Sequence, residues 1–305
     1  MMMLSETMTE FKLLTVEDSE IFRRYNEEMR ISDMGFTQLY AWQEEFRNRY
    51  RIVNDYLCTF YRKTSGMGSF YVPLGVYERD KYYKTLLELE QISDHYKMPF
   101  CFDFVPENWL ERFMGLPDFK AEATFQEDFS DYIFKAEEFL CLTGKVNERK
   151  RYQVNYFKNH FTYDYQSLTM ENRQDAFWVM DHWCSSRDCK DCFWGCEKRA
   201  VTRILEHWDA FNCKGAIIYV EGVPAAFMIG EQISKDMVVS HFQKADKQMK
   251  GLYAFLSHEF YIREYPDITY INLQEDMGIK AVRESKLFYH PCHMLRKYTV
   301  SLTRR

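Results

Sequence analysis

The spacing of apolar residues alternates along the chain between the 3.6-residue period of helices and the two-residue period of strands. In the first half this pattern predicts, in order, a helix, a three-stranded meander, a helix, a strand, a helix and a strand. Turn residues such as Asn54-Asp55 separate the meander strands. The first seven elements are predicted at residues 17–30, 50–54, 56–63, 69–75, about 80–97, 100–105 and 106–115.

The second half shows a similar succession of periods. Three helices precede a second three-stranded meander, whose first two strands are joined by the tight turn "EGV". A helix that Gly251 opens and Pro266 closes then leads into a strand, a short helix and a final strand. These elements are predicted at residues 148–160, 171–184, 194–211, 215–220, 224–231, 237–243, 252–265, 268–273, 279–287 and 292–300.

The order of elements is therefore nearly the same in the two halves, which indicates a duplication. We expect an α/β protein with two packed domains, residues 1–134 and residues 135–305. Each domain should contain a mixed, mostly antiparallel sheet flanked by helices. This expectation depends on element order, because no residue-level repeat is visible between the halves.

Composition agrees with two globular domains. The chain has 305 residues, of which 46% are apolar and 28% are charged. The net charge of −6 predicts that any polyanion is bound by a local basic patch rather than by the whole surface. No apolar run approaches the ~18 residues that span a bilayer, and the start lacks the features of a signal peptide, so we expect a cytoplasmic protein.

One local basic patch lies in the helix predicted at residues 148–160 and the segment before it. Its cations are Lys145, Arg149, Lys150, Arg151 and Lys158. Arg151, Asn155 and Lys158 are spaced to form one stripe of the helix, which a phosphate chain can follow. The alternative is a solvated helix face without a ligand.

Nine cysteines in a chain of this size indicate reduced thiols rather than a disulfide framework. Four of them, Cys184, Cys189, Cys192 and Cys196, are close together in sequence, and the spacing between Cys189 and Cys192 suits a metal ligand pair. Structural zinc sites usually take their two ligand pairs from separate segments. We therefore expect no metal here, and reduced thiols near a helix start instead.

The segment around Gly251 resembles the phosphate-binding turn of the GNAT acetyltransferases, in which bare amides at a helix N-terminus surround a pyrophosphate. In that pattern Gln248, Lys250 and Gly251 are the donor-binding residues. Tyr253 stands where the family has Gly or Ala. An ordinary helix start is the alternative interpretation.

The segment "YINLQEDMGIKAVRESKLFYHP" resembles the closing motif of the soluble C-terminal domain of phosphatidylglycerol lysyltransferases. The matching residues are Asn272, Glu275, Asp276, Gly278, Ile279, Arg283, Lys286, Tyr289 and Pro291. "LTGKVNERKRYQVNYF" and "HFQKADKQMKGLY" fit the same family, and the resemblance extends from about residue 11 to the end. The lysyltransferases carry a membrane-embedded region in front of this domain, and this sequence shows none.

This resemblance implies two GNAT-like halves and the transfer of an aminoacyl group from charged tRNA, as in the related Fem transferases. The active site is expected in the second half, where the strands at residues 237–243 and 268–273 splay apart. Arg283 and Lys286 share a helix face and are candidates to stabilise an oxyanion or to bind donor phosphates. Tyr289 is a candidate to orient the acceptor or to act as an acid.

Glu231 and His241 lie on neighbouring predicted strands and are candidate general bases. A satisfied core histidine is the simpler interpretation of His241. For the whole chain we expect an acyl- or aminoacyltransferase with no tightly bound cofactor and either aminoacyl-tRNA or acyl-CoA as co-substrate. Charged tRNA and a lipid headgroup are the candidate partners. The alternative is a non-catalytic GNAT-like binding module with a degenerate donor site, for which Tyr253 is the main indication.

Overall fold

The computed structural model of the protein describes residues 11–25, 30–62, 66–95, 97–185 and 195–305. The chain forms two compact units. Unit 1 comprises the described residues up to Asp131 together with Leu295–Arg305, and unit 2 comprises Tyr132–Met294. The predicted division at residue 134 lies close to the first boundary, but the last eleven residues return to the first unit.

Each unit is built on one seven-stranded sheet. The strands are β1 (Lys12–Leu13), β2 (Arg49–Val53), β3 (Tyr56–Arg62), β4 (Gly68–Tyr71), β5 (Cys101–Pro106), β6 (Phe119–Phe125), β7 (Asp131–Lys135), β8 (Tyr163–Ser167), β9 (Cys213–Val220), β10 (Val223–Ser234), β11 (Met237–Ala245), β12 (Tyr270–Asn272), β13 (His293–Leu295) and β14 (Lys297–Arg304). The α-helices are α1 (Ser19–Tyr25), α2 (Phe36–Ala41), α3 (Gln43–Phe46), α4 (Arg79–His95), α5 (Glu137–Leu140), α6 (Glu148–His160), α7 (Arg173–Ser185), α8 (Glu197–Glu206), α9 (Leu252–Glu264) and α10 (Lys280–Phe288).

Most predicted elements are present, and three differ. The predicted helix at residues 106–115 is a 3₁₀ turn, Glu107–Arg112, and the one at 194–211 divides into α8 and a 3₁₀ turn, Trp208–Ala210. The predicted final strand is two strands, β13 and β14, which belong to different sheets. Alternation of side chains continues through both pieces, so the pattern alone does not reveal where the chain leaves one sheet for the other.

The two sheets have equivalent strand orders, β1-β2-β3-β4-β5-β14-β6 and, in the opposite direction, β13-β7-β12-β11-β10-β9-β8. In each sheet an antiparallel meander is followed by one parallel pair, β4 with β5 and β11 with β12. A parallel pair requires a crossover connection, which α4 and α9 provide. The predicted tandem GNAT-like architecture is therefore confirmed, with one strand of each half, β7 and β14, paired in the sheet of the other.

Charged side chains anchor β14 in unit 1. The ammonium of Lys297 is fully buried and binds Asp131 at 2.6 Å and Asp33. A buried ion is tolerated only when it is paired and hydrogen-bonded, so two carboxylates around one lysine fix the start of this strand.

The core of unit 2 lies between its sheet and α5, α6 and α9. Phe157 of α6 packs against Phe255 of α9, with 4.6 Å between ring centroids and a tilt of 30° between the ring planes. Both are fully buried beside Ile218, Met228 and Ile271 of the strands. Apolar burial of this extent holds α6 and α9 rigidly on the sheet and so positions the loops at their ends.

Candidate functional site

The parallel strands of unit 2, β11 and β12, stop pairing at the carboxyl end of β12. β11 and β12 pair only from Met237 to Val239, and Asn272 is the last partner on β12. β11 then continues for six residues, Ser240–Ala245, without β12 beside it. The expected splay is therefore present. In an open α/β sheet, ligands bind at the carboxyl ends of strands where the chain diverges in this way.

The loop that leaves β12, residues 273–278, borders this opening. Gln274 and Met277 have φ values of 62° and 54°, which non-glycine residues rarely adopt. The Gln274 side chain crosses to β11 and donates to the Ser240 carbonyl oxygen at 2.7 Å. Strained residues of this kind persist only where their surroundings determine the conformation, and they cluster at functional sites.

Asp276 is the buried centre of this loop. Its carboxylate accepts two hydrogen bonds from Arg283, at 2.7 and 3.0 Å, and one from the Tyr132 hydroxyl at 2.5 Å. The Gly278 amide donates a fourth at 2.8 Å. Burial by itself would raise the pKa of Asp276, but the bonds from Arg283 and Tyr132 outweigh it, and the pKa lies below its ordinary value.

Lys286 holds the same loop from α10. Its ammonium donates to the carbonyl oxygens of Leu273, at 2.7 Å, of Gln274, at 3.0 Å, and of Glu275. An ammonium has three donors, and these three carbonyls match them. Arg283 and Lys286 thus share one helix face, as expected, and both contact the loop at the opening.

Glu231 and His241 meet on one face of the sheet. The His241 Nε2 atom lies 2.9 Å from the Glu231 Oε2 atom. The pairing between β10 and β11 shifts at this point, so that His241 is the additional residue of a β-bulge. A bulge re-aims a side chain, and here it brings the imidazole to the carboxylate.

This face is the one opposite α9. A Cβ atom added to Gly230 would lie 3.1 Å from the ring of Phe260 in α9. Because side chains alternate along a strand, Glu231 projects from the other face. The His241 side chain is 1% exposed and that of Glu231 is 16% exposed, so the pair has one partly open side.

The turn before α9 has the predicted glycine in the left-handed conformation, with φ of 89° at Gly251. A Cβ atom there would lie 2.2 Å from the Gln153 carbonyl oxygen of α6. The close approach of two helices therefore accounts for this glycine. The backbone amide of Gln248 donates to the Asp246 carboxylate at 2.8 Å, and the Lys250 ammonium lies over the rings of Tyr152 and Tyr156.

Tyr253 occupies the first turn of α9. Its hydroxyl accepts a hydrogen bond of 3.2 Å from the Trp183 indole of α7. The Lys244 ammonium lies 4.5 Å from the centre of the same indole ring. The side chains of Tyr253 and Trp183 therefore lie at the N-terminus of α9, which is the helix terminus that binds pyrophosphate in the GNAT pattern.

The basic patch on and before α6 divides into anchored and exposed cations. Arg151 donates to the carbonyl oxygens of Leu142 and Gly144, at 2.5 and 3.2 Å, and Lys158 forms an ion pair with Glu259 at 2.6 Å. The Lys145 carbonyl oxygen accepts from the Glu148 amide at 3.1 Å, but the Lys145 ammonium is exposed and has no ion-pair or hydrogen-bond partner within the part of the chain that the structure describes. It lines an open groove of about 590 Å³, which is bounded by Cys141, Leu142, Thr143, Gly144, Lys145, Glu148 and Arg151.

Lys150 is buried, unlike Lys145, and lies beside Tyr289. The Lys150 side chain is 1% exposed, and its ammonium lies 3.9 Å from Glu138 and 4.7 Å from the centre of the Tyr289 ring. Burial lowers the pKa of Lys150. Tyr289 stacks on Phe139 at 5.2 Å, and burial raises its pKa to about 12, which makes its hydroxyl a weaker acid.

Two contributors to the site were not predicted from the sequence. Tyr132 reaches Asp276 from β7, and Gln274 joins the loop to β11. Tyr132 precedes Asp276 by 144 residues, so only the pairing of β7 with β12 brings them together. Of the predicted cysteine cluster, Cys189 and Cys192 lie outside the described residues.

Within the described residues, the structure contains no helix that is both long enough and apolar enough to cross a bilayer. Among proteins of curated function, none matches the sequence significantly.

Solved structures match most of the chain. A conserved protein of unknown function from Bacteroides thetaiotaomicron is 27% identical, with a TM-score of 0.89 over 96% of this chain and 99% of that chain. The C-terminal domain of a putative lysylphosphatidylglycerol synthetase from Agrobacterium fabrum is 11% identical, with a TM-score of 0.64 over 94% of this chain and 90% of that chain. FemX is 10% identical, with a TM-score of 0.63 over 95% and 96%. The last two likenesses show the fold alone.

The sequence model of one family, described as "Phosphatidylglycerol lysyltransferase, C-terminal", matches residues 25–301. This match includes all the strands of unit 2, the loop after β12 and the helix that carries Arg283 and Lys286. The chain therefore belongs to the family of phosphatidylglycerol lysyltransferase C-terminal domains.

Proposed function

We propose that this chain is an aminoacyltransferase that takes the aminoacyl group from aminoacyl-tRNA and passes it to an amine or hydroxyl acceptor at the opening between β11 and β12. The observation that carries the proposal is the loop at residues 273–278. Its backbone is strained at the edge of this opening, and the Lys286 ammonium and the Arg283 ion pair hold it in place. A conformation maintained at this cost suits a preorganised site.

The turn before α9 favours aminoacyl-tRNA over acyl-CoA as donor. Pyrophosphate binding requires bare amides at the helix N-terminus. Here the α6 backbone lies against Gly251, and Tyr253 with its Trp183 partner stands in the first turn. A donor whose phosphates bind elsewhere avoids this conflict. The groove that Lys145 lines offers exposed positive charge for the backbone of an RNA.

The reaction is an attack by the acceptor nitrogen or oxygen on the ester carbonyl of the aminoacyl group. The new bond forms at the carbonyl carbon, the ester bond to the tRNA ribose breaks, and the ribose oxygen takes up a proton. Glu231 and His241 are the candidate base for the acceptor proton, since they face the partly open side of the sheet. Arg283 and Lys286 act as positioning residues, because their donors bind the loop.

A non-catalytic binding module is the second candidate, and the engagement of both cations favours it. Neither Arg283 nor Lys286 needs a ligand to satisfy its charge. Such a module would retain the tRNA surface at Lys145 without transferring the aminoacyl group.

For the transferase, the candidate acceptors are cytosolic amines, peptides and a lipid headgroup that is reached from the cytoplasm. We propose that the protein is located in the cytoplasm.

The test combines binding with transfer. Total tRNA charged with labelled amino acids is incubated with the protein and with vesicles containing phosphatidylglycerol, with amine acceptors or with buffer. We expect salt-sensitive binding of tRNA, no binding of acetyl-CoA and labelled product with one acceptor class. Lys145→Ala should weaken binding, and Lys120→Ala, an exposed lysine of unit 1, is the matched control. Binding of tRNA without any product supports the module, whereas binding of acetyl-CoA alone overturns the proposal.

A further inference from the structure

Cys213 stands beside the Glu231 and His241 pair. Cys213 is the first residue of β9 and lies directly across from Glu231 in the antiparallel ladder. The cysteine sulfur, a carboxylate oxygen and an imidazole nitrogen all lie within 4.8 Å of one another. Three different strands therefore deliver a thiol, a carboxylate and an imidazole to one point.

Within the described residues, the Nε2 atom of the His241 ring contacts Glu231 and the Nδ1 atom has no hydrogen-bond partner. The His241 side chain is 1% exposed. Buried polar atoms without a partner are exceptions that call for a bound water or ion. The β-bulge that re-aims His241 shows that the backbone departs from a regular ladder to make this cluster.

The donor set also matches one class of ion. Thiolate, imidazole and carboxylate are the usual zinc ligands, with bond lengths of about 2.0 to 2.3 Å. Those bond lengths place ligand atoms around one tetrahedral ion roughly 3.3 to 3.8 Å apart, so the contact of 2.9 Å between His241 and Glu231 lengthens when an ion binds between them. A thiolate and a carboxylate balance the two charges of Zn²⁺. Cys213 and Glu231 are only partly buried, which leaves an open side for a water or a substrate atom.

We propose that Cys213, Glu231 and His241 form a three-ligand site for Zn²⁺ or a similar divalent ion. The inference does not rest on the transferase proposal. The sequence did not predict this metal site, which differs in position from the cysteine cluster at residues 184–196. With the ion bound, His241 and Glu231 are ligands and do not accept the acceptor proton. The general-base role therefore applies to the metal-free protein.

The test uses Co²⁺ and Zn²⁺ with the reduced, chelator-treated full chain. Binding of Co²⁺ should give one ion per chain and a sulfur-to-cobalt charge-transfer absorption, which Zn²⁺ displaces. Cys213→Ser should abolish that absorption, and Glu231→Gln and His241→Gln should weaken binding by more than about 100-fold, since even outer-sphere partners contribute up to that factor. Cys292→Ser, at an exposed cysteine elsewhere in unit 2, is the matched control.

A second variant separates this site from the sequence cluster. Cys189→Ser combined with Cys192→Ser should leave the stoichiometry and the absorption intact. Loss of both signals in that double variant, or an unchanged absorption in Cys213→Ser, overturns the proposal. Circular dichroism of each variant checks folding, and the partly exposed Cys213 makes its serine variant the most conservative of the set.

Discussion

The Arg283 guanidinium binds the buried Asp276 carboxylate through two hydrogen bonds, of 2.7 and 3.0 Å. Two parallel bonds of this kind fix direction as well as distance. Since Asp276 is in the loop and Arg283 is on α10, the pair sets the geometry of the loop relative to the helix. The Tyr132 hydroxyl adds β7 to the same arrangement.

Asp276→Asn should destabilise unit 2 by about 3 kcal/mol, because removing one member of a buried ion pair leaves its partner uncompensated. The measurement is urea unfolding at neutral pH. Asp267→Asn, at an exposed position of unit 2, is the control and should change the free energy of unfolding by less than about 0.5 kcal/mol. Equal effects of the two substitutions on the free energy of unfolding would contradict a stabilising role of the ion pair between Asp276 and Arg283.

The same carboxylate predicts a dependence of stability on pH. The pKa of Asp276 is lower in the folded protein than the ordinary value of 3.8. Its contribution is therefore complete above about pH 4 and is lost as the pH falls through the folded pKa. Unfolding free energies measured in steps from pH 6 downward should decline less steeply in Asp276→Asn than in the native protein below about pH 4. Parallel curves would contradict this assignment.

Lys286→Ala should reduce transfer while the protein stays folded. The substitution removes three donors from the loop carbonyls, and a misplacement of about 1 Å at a reacting group can cost about 100-fold in rate. Lys280→Ala, on the same helix with a 90% exposed side chain, is the matched control. A positioning role predicts a fall in kcat larger than any rise in KM for the donor. Unchanged donor binding and turnover in Lys286→Ala would show that the loop conformation does not depend on this lysine.

Local periodicity was sufficient to predict α6, whose bounds, Glu148–His160, coincide with the prediction. The splay after Val239 also followed from the family resemblance. Strand exchange was not predictable, because β14 has the same alternating pattern whichever sheet it joins. The bulge at His241 was hidden for a similar reason, since one additional residue in a ladder leaves no mark in the sequence of a single strand.

Gly251 shows how one residue type can meet two different requirements. The sequence pattern gave this glycine a phosphate-binding role, and the structure shows α6 packed against it. Both requirements favour an absent side chain, so the residue type alone does not distinguish them. The distance between two helices that are about 100 residues apart in sequence is a tertiary property, which no local motif contains.

Gly251→Ala should therefore destabilise unit 2 by more than about 3 kcal/mol, as the sum of left-handed backbone strain and the forced displacement of α6. Gly144→Ala is the matched control, because its φ of 76° is similar and a Cβ atom there meets nothing within 4 Å. Strain alone should cost that control about 1 kcal/mol. Urea unfolding of both variants gives the difference between their free energies of unfolding. Similar losses of stability would show that α6 moves at little cost to make room for the added methyl group beside Gln153.

Substitution of Gln274 tests whether the position of the loop after β12 governs transfer at the opening between β11 and β12. Its side-chain amide donates to the Ser240 carbonyl at 2.7 Å, which ties the loop to the strand that continues beyond β12. Gln274→Ala removes about 1 kcal/mol of hydrogen-bond stabilisation and frees the edge of the opening. We expect a modest loss of stability and a much larger loss of transfer.

Gln243→Ala is the matched control, since the Gln243 side chain connects β11 to α9 through hydrogen bonds to Tyr253 and Ser257. It should cost similar stability with less effect on transfer. Equal effects of both variants on transfer would show that general rigidity of β11, and not the position of the loop, governs the reaction.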